Sequence, residues 1–122
     1  MLLPYVIAYN AQKPEKFPIF PKYSEFLADY RYAQIAHQLR LGGNTQDEEI
    51  AALIDAVWKL MEVLNIPTSI QACGVDEKDF FAKLPLLAER AFEDQCTTAN
   101  PRYPLVADLE EIYRKAYYGE RM

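Results

Sequence analysis

At 122 residues the chain has room for one domain and little more, and with 51% hydrophobic and 13% aromatic residues it is too apolar to remain disordered. A net charge of −5, with no Lys/Arg cluster along the chain, excludes a nucleic-acid binder, because phosphate contacts need basic residues gathered on one face. No apolar run approaches the roughly 20 residues that span a bilayer.

Leu2 to Ala11 forms a first helical segment, with Pro4 tolerated in its opening turn. It starts on Leu2-Leu3-Pro4-Tyr5-Val6-Ile7 with no polar lead-in, whereas an independent domain usually begins with residues that fray in water. The apolar start is therefore expected to be an edge of a larger fold. It lacks the basic region and small-residue cleavage site of a signal peptide. Gln12 to Lys22 holds Pro14, Pro18 and Pro21 and cannot be a regular helix. Phe17, Ile19 and Phe20, set among those prolines, are expected to pack down on something.

From Ser24 to Leu39 the apolar spacing is helical, with Phe26, Tyr30, Ala33, Ile35, Ala36 and Leu39 placed on one side and Gly42-Gly43 as the stop. Thr45 and Glu48 have the spacing of a capping box. Ile50, Leu53, Ile54, Val57, Met61 and Leu64 then mark an amphipathic helix that Asn65-Ile66-Pro67 ends. Ser69 to Gly74 is a connection. Asp76 caps a helix carrying Phe80, Phe81 and Leu84. Pro85 suits the first turn of a separate helix, Leu86 to Asp94, with Leu87, Ala91 and Phe92 inward. Leu105 to Tyr118 is the last helix, with Leu109, Ile112, Tyr113 and Ala116 on one face and Gly119 as its stop. About six helical segments and no convincing strand give an all-α architecture.

Little in this pattern carries chemistry by itself. His37 is the only histidine and has no acidic neighbour at helical spacing, so it is expected at the surface or a boundary. One histidine cannot build a His-based metal centre. Glu48-Glu49, Asp76-Glu77 and Glu110-Glu111 sit near helix starts, where they favour the dipole and nothing more. The Glu110/Arg114 and Glu111/Lys115 pairs are surface support at i, i+4. Trp58 is core or boundary packing. Tyr103, Tyr113, Tyr117 and Tyr118 form an aromatic cluster, with hydroxyls turned to solvent or with the group serving a subunit interface. Cys73 acts as a small hydrophobe. Two cysteines make neither a disulfide scaffold nor a zinc motif, and a reducing cytoplasm is the default. Cys96 opens the irregular run Cys96-Thr97-Thr98-Ala99-Asn100-Pro101-Arg102, stiffened because Pro101 and Pro104 push Asn100 and Tyr103 toward extended backbone. On the residues alone, packing outranks function for this thiol, with no histidine nearby to activate it. The four glycines form no phosphate-binding loop.

Several ordered segments nevertheless resemble the C-terminal part of the iron-containing alcohol dehydrogenases, most of all the alcohol dehydrogenase half of the bifunctional aldehyde–alcohol dehydrogenases. They are L-L-P-Y-V-I-A-Y-N-A at the start, F-P-K-Y from Phe20, A-D-Y-R-Y-A-Q-I-A from Ala28, L-N-I-P-T-S-I from Leu64, G-V-D-E-K-D-F from Gly74 and D-Q-C-T-T-A-N-P-R-Y-P-L from Asp94. The resemblance implies a dehydroquinate synthase-like helical domain. Residues 1–122 would be one partial C-terminal domain of it, without the N-terminal α/β domain that binds NAD. It implies a parent enzyme with a divalent metal, commonly Fe²⁺, held by one aspartate and three histidines. That enzyme would interconvert short aldehydes such as acetaldehyde and alcohols such as ethanol with NAD(H). The ligand positions lie upstream of Leu2 in the family, and His37 does not align with one. No metal ligand and no catalytic residue is therefore carried onto this chain, which is expected to be inactive alone and to bind neither cofactor. Its implied partner is the remainder of the dehydrogenase, with a homo-oligomer as a further option. The resemblance does carry over Cys96, as a wall of the substrate and cofactor pocket. Many relatives have glycine at the position of Thr98, where a β-branched residue would be strained if φ were positive. The rival expectations are a non-catalytic helical interaction or self-association module and, behind it, a thiol-dependent activity at Cys96.

Overall fold

The computed structural model describes residues 1–15 and 23–121. Among these residues there are five α-helices, α1 (Leu3–Ala11), α2 (Ala28–Gln38), α3 (Gln46–Val63), α4 (Glu77–Glu93) and α5 (Val106–Tyr118), with 3-10 turns at Gln71–Cys73 and Thr97–Ala99. No strand occurs among the described residues. The all-α class is as expected. The packing assigned above to Phe17, Ile19 and Phe20 lies outside the described residues.

Helix α1 lies at the centre because both of its flanks are apolar. One flank puts Tyr5 against Trp58, Met61 and Ala116 of α3 and α5, with the Tyr5 and Trp58 rings edge to face at 5.5 Å. The other puts Ile7 against Ala36 and Leu53 of α2 and α3. Met1 and Leu2 pack on the Trp58 cluster, so most of the apolar opening segment is satisfied within the chain. Helix α4 stands outside this group and packs on α5 through Phe80, Leu84 and Tyr117.

Several local readings are corrected. Helix α2 starts four residues later than Ser24 and turns its alanines inward. Ala33 and Ala36 are buried while Tyr30, Ile35 and Leu39 are 50%, 43% and 60% exposed. Small residues at this face let the α2 backbone approach α1 and α3 closely, which the large ones would prevent. Helix α2 also stops before its glycines. Arg40 takes the left-handed conformation at φ 54°, and the Leu41 N–H closes on the Ala36 carbonyl at 3.1 Å. In α3, Leu64 is exposed and Trp58 takes the buried position.

A further correction concerns Pro85, which does not begin a new helix. Helix α4 runs through it unbroken. Proline removes one hydrogen bond, that to the Phe81 carbonyl, and it sits on the exposed side where that loss costs least. Phe80, Leu84 and Ala88 continue at four-residue spacing on the opposite, buried side and hold both halves against α5. Leu87 is consequently exposed.

The helix ends are otherwise locally specified. Thr45 accepts the Glu48 N–H at 3.3 Å, but the Glu48 carboxylate reaches the Asn44 N–H at 2.7 Å, one residue short of a reciprocal capping box. Asp76 accepts the Asp79 N–H at 3.0 Å. Gly119 ends α5 at φ 72°, and a Cβ there would meet that of Ser69 at 3.1 Å.

A candidate pocket wall carried by a pinned loop

The segment between α4 and α5 is built by successive hydrogen bonds. After α4, Asp94 turns extended at φ −61°, ψ 132°. Its carboxylate accepts the Cys96 N–H at 2.7 Å. The Thr97 hydroxyl donates to the Ala91 carbonyl at 2.6 Å, satisfying a group that the helix end would leave orphaned. A single 3-10 turn follows, in which Ala99 N–H meets the Cys96 carbonyl at 3.0 Å and Asn100 N–H meets that of Thr97 at 3.1 Å. Thr98 lies within this right-handed turn, and the only non-glycine residues with positive φ among those described are Arg40 and Asn65. The strain foreseen for a β-branched residue at Thr98 does not arise. Asn100 is extended at φ −64°, ψ 138°, as the following proline requires.

Asn100 and Arg102 then dock this segment on the C-terminal end of α1. The carboxamides of Asn10 and Asn100 bond reciprocally, at 3.2 Å from Asn10 Nδ2 and 2.7 Å from Asn100 Nδ2. Asn100 Nδ2 also donates to the Arg102 carbonyl at 2.5 Å. Arg102 Nη1 donates to the Tyr9 carbonyl at 3.1 Å and to Gln12 Oε1 at 3.0 Å, with its guanidinium 4.0 Å over the Tyr9 ring. A cation suits this end of α1, where helix carbonyls lack donors. The Tyr9 hydroxyl donates toward the Tyr103 carbonyl (3.3 Å) and Asp108 Oδ2 (3.1 Å), and the same carboxylate oxygen caps α5 at the Leu105 N–H, 2.8 Å away. Burial, and then the Asp108 carboxylate, push the Tyr9 phenol above its ordinary range, with Arg102 opposing. On the outer side the Tyr23 hydroxyl donates to the Ala99 carbonyl at 3.0 Å.

Cys96 is therefore exposed on a turn that is fixed from α4, α1 and Tyr23. Two small clefts flank the docking point. One of about 140 Å³ is bounded by Tyr9, Glu15, Arg102 and Tyr103. The other, of about 150 Å³, is bounded by Gln12, Arg102, Glu111 and Lys115. Sequence reading singled out Cys96 but missed Tyr9, Asn10 and Arg102 as its supports. The available signal was a polar residue, Asn10, inside an otherwise apolar helix. Its burial to 3% exposure demands a partner.

His37 lies at the surface, as expected, but it does have an acidic partner: Glu49 Oε1 from α3, 3.2 Å from Nδ1. Among the described residues no three of His, Cys, Asp or Glu converge as a metal would need. That donor set does not fit an iron site. The acidic pairs do more than favour helix dipoles. Glu77 accepts the Tyr118 hydroxyl at 2.7 Å and so ties α4 to α5. Glu111 pairs with both Lys115 and Arg114. The tyrosines separate into two groups. Tyr103 meets Phe92, whereas Tyr113, Tyr117 and Tyr118 belong with Phe80 and Phe81. The Tyr117 and Tyr118 hydroxyls bond protein groups instead of turning to solvent. Cys73 is exposed and does not pack as a hydrophobe.

Residues 1–117 match the Fe-containing alcohol dehydrogenase family, C-terminal. The chain is 43% identical over 118 residues to aldehyde-alcohol dehydrogenase 2 of Entamoeba histolytica, covering 97% of this chain and 14% of that protein. It is 43% identical over 122 residues to the bifunctional aldehyde-alcohol dehydrogenase of Escherichia coli, covering 98% and 14%. With the NADPH-dependent butanol dehydrogenase of Clostridium saccharobutylicum it shares 36% over 117 residues, 96% of this chain and 26% of that one. The chain thus spans about one seventh of the length of the two bifunctional relatives.

Proposed function

Because this chain belongs to the Fe-containing alcohol dehydrogenase family, matched over residues 1–117, we propose that it is the C-terminal helical portion of an iron-dependent alcohol dehydrogenase. Residues 1–122 form part of one helical domain. The assembled enzyme interconverts short aldehydes and alcohols with NAD(H), in the cytoplasm. The metal-ligand helices and the NAD-binding domain come from the remainder of the dehydrogenase, and this chain alone is inactive. Cys96 forms part of the wall of the substrate and cofactor pocket.

The family match across nearly the whole chain carries this reading. The pinned loop supports the part concerning Cys96, because a pocket wall has to hold its place to within a fraction of an ångström. What favours NAD(H) over NADPH is that the chain is less similar to the NADPH-dependent butanol dehydrogenase, at 36% identity, than to the bifunctional aldehyde-alcohol dehydrogenase of Escherichia coli, at 43%. The free cysteines suit a reducing compartment. No helix among the described residues is long and apolar enough to cross a membrane. A second reading, a non-catalytic module that binds a partner or itself, draws on Leu60, Val63 and Leu64, which are 56%, 77% and 58% exposed at one end of α3.

A complementation experiment separates the two. The chain is co-expressed with the E. coli bifunctional enzyme cut back by the segment that matches it. A complex that reduces acetaldehyde with NADH in the presence of Fe²⁺ is the expected result. The chain by itself should give no turnover with Fe²⁺ or Zn²⁺. A folded, inactive complex, or metal-dependent turnover by the chain alone, overturns the proposal.

A further inference from the structure

The Cys96 loop could have been held by packing, yet the α1 contact nearest to Cys96 along the chain is a polar joint, with Arg102 and Tyr9 making the contacts beyond it. Asn10 is buried to 3% exposure in a helix otherwise lined by Pro4, Tyr5 and Ile7. Its carboxamide spends a donor and an acceptor on Asn100, 90 residues away. Asn100 uses both of its amide hydrogens, one on Asn10 and one on the Arg102 carbonyl, so its side chain has one orientation that satisfies every group. From Asn100 to Cys96 the chain is one 3-10 turn, closed by the Ala99-to-Cys96 and Asn100-to-Thr97 bonds. A turn this short transmits position, because it contains no residue free to absorb a change in direction. We propose that Asn100, through its carboxamide pair with Asn10, is the positioning residue that fixes the Cys96 thiol from the α1 side, beside the bonds that Asp94 and Thr97 make on the α4 side. Its consequence for catalysis rests on the reading of Cys96 as a pocket wall, but the positioning itself does not.

The two are tested apart. In a Cys73→Ser background, which leaves Cys96 as the only thiol, a nitroxide label is attached to Cys96 and its room-temperature EPR spectrum recorded. The parent should give the partly restricted line shape of an exposed label on an ordered backbone. Asn100→Ala should shift it to a mobile one while circular dichroism shows the helices intact. Asn10→Ala should give the same shift, and the double variant no further change, since either substitution already opens the joint. A variant that loses only stability would show a lowered melting temperature with an unchanged line shape in the folded protein. Folded variants with the parent's spectrum, or additive shifts, overturn the proposal. Should Asn100→Ala fail to fold, Asn10→Ser removes the carboxamide with a smaller change in volume and is read in the same way. A positive EPR result together with failed complementation rejects the pocket-wall reading and leaves the joint in place.

Discussion

The two ends of α5 are fastened to the rest of the molecule by different physics. Its N-terminal end, next to the Cys96 loop, is held by directional bonds: Asn10 to Asn100, Arg102 to Tyr9 and Gln12, and Tyr9 to Asp108. Its C-terminal end is held chiefly by rings, with the Tyr117 and Tyr118 hydroxyl bonds to the Val75 carbonyl and Glu77 at their edge. Phe80 and Tyr117 stack at 4.6 Å, Phe81 meets Tyr117 edge on at 5.4 Å, and Tyr118 closes the group at 5.1 Å from Tyr117. Apolar burial scales with area and tolerates small shifts in angle. Hydrogen-bonded pairs supply less net energy each but accept one arrangement only. The aromatic end therefore contributes stability, and the polar end contributes definition at the loop that bears the candidate site.

Substitutions sharpen this contrast. The largest effect is expected at the aromatic end. Phe80→Ala removes a ring that is 5% exposed and should cost about 3–5 kcal/mol, read from urea unfolding, with α4 separating from α5. At the polar end Arg102→Lys should cost only about 1 kcal/mol, from the lost stack over Tyr9 and the weakened Nη1 bonds to the Tyr9 carbonyl and Gln12. Equal costs at the two ends would break the comparison.

The smallest effect is at high pH. The Tyr9 phenol is raised above its ordinary 10.0 chiefly by burial, so the folded state holds that proton more tightly than the unfolded chain. The stability tied to it is complete below pH 10.0 and is lost as pH rises from there toward the folded value. Urea midpoints should fall above that pH in the parent. Tyr9→Phe should flatten the slope in part, since Tyr5, Tyr117 and Tyr118 are raised as well. An unchanged slope would place Tyr9 outside the polar joint.

The sequence by itself determined what depends on a few neighbouring residues. Thr45 and Asp76 start helices because a hydroxyl or carboxylate reaches an amide three residues on. Asn65, at φ 54°, and Gly119 end them because those residues tolerate left-handed backbone. The ordered motifs pointed to the family because they follow the chain. Tertiary structure alone decided what depends on residues far apart. It turned alanines of α2 inward, where close approach outranks side-chain size. It carried α4 through Pro85, where burial on one face outweighs a single lost bond on the other. And it joined Asn10 to Asn100, since a buried carboxamide must find its partner wherever the fold brings one within hydrogen-bonding reach.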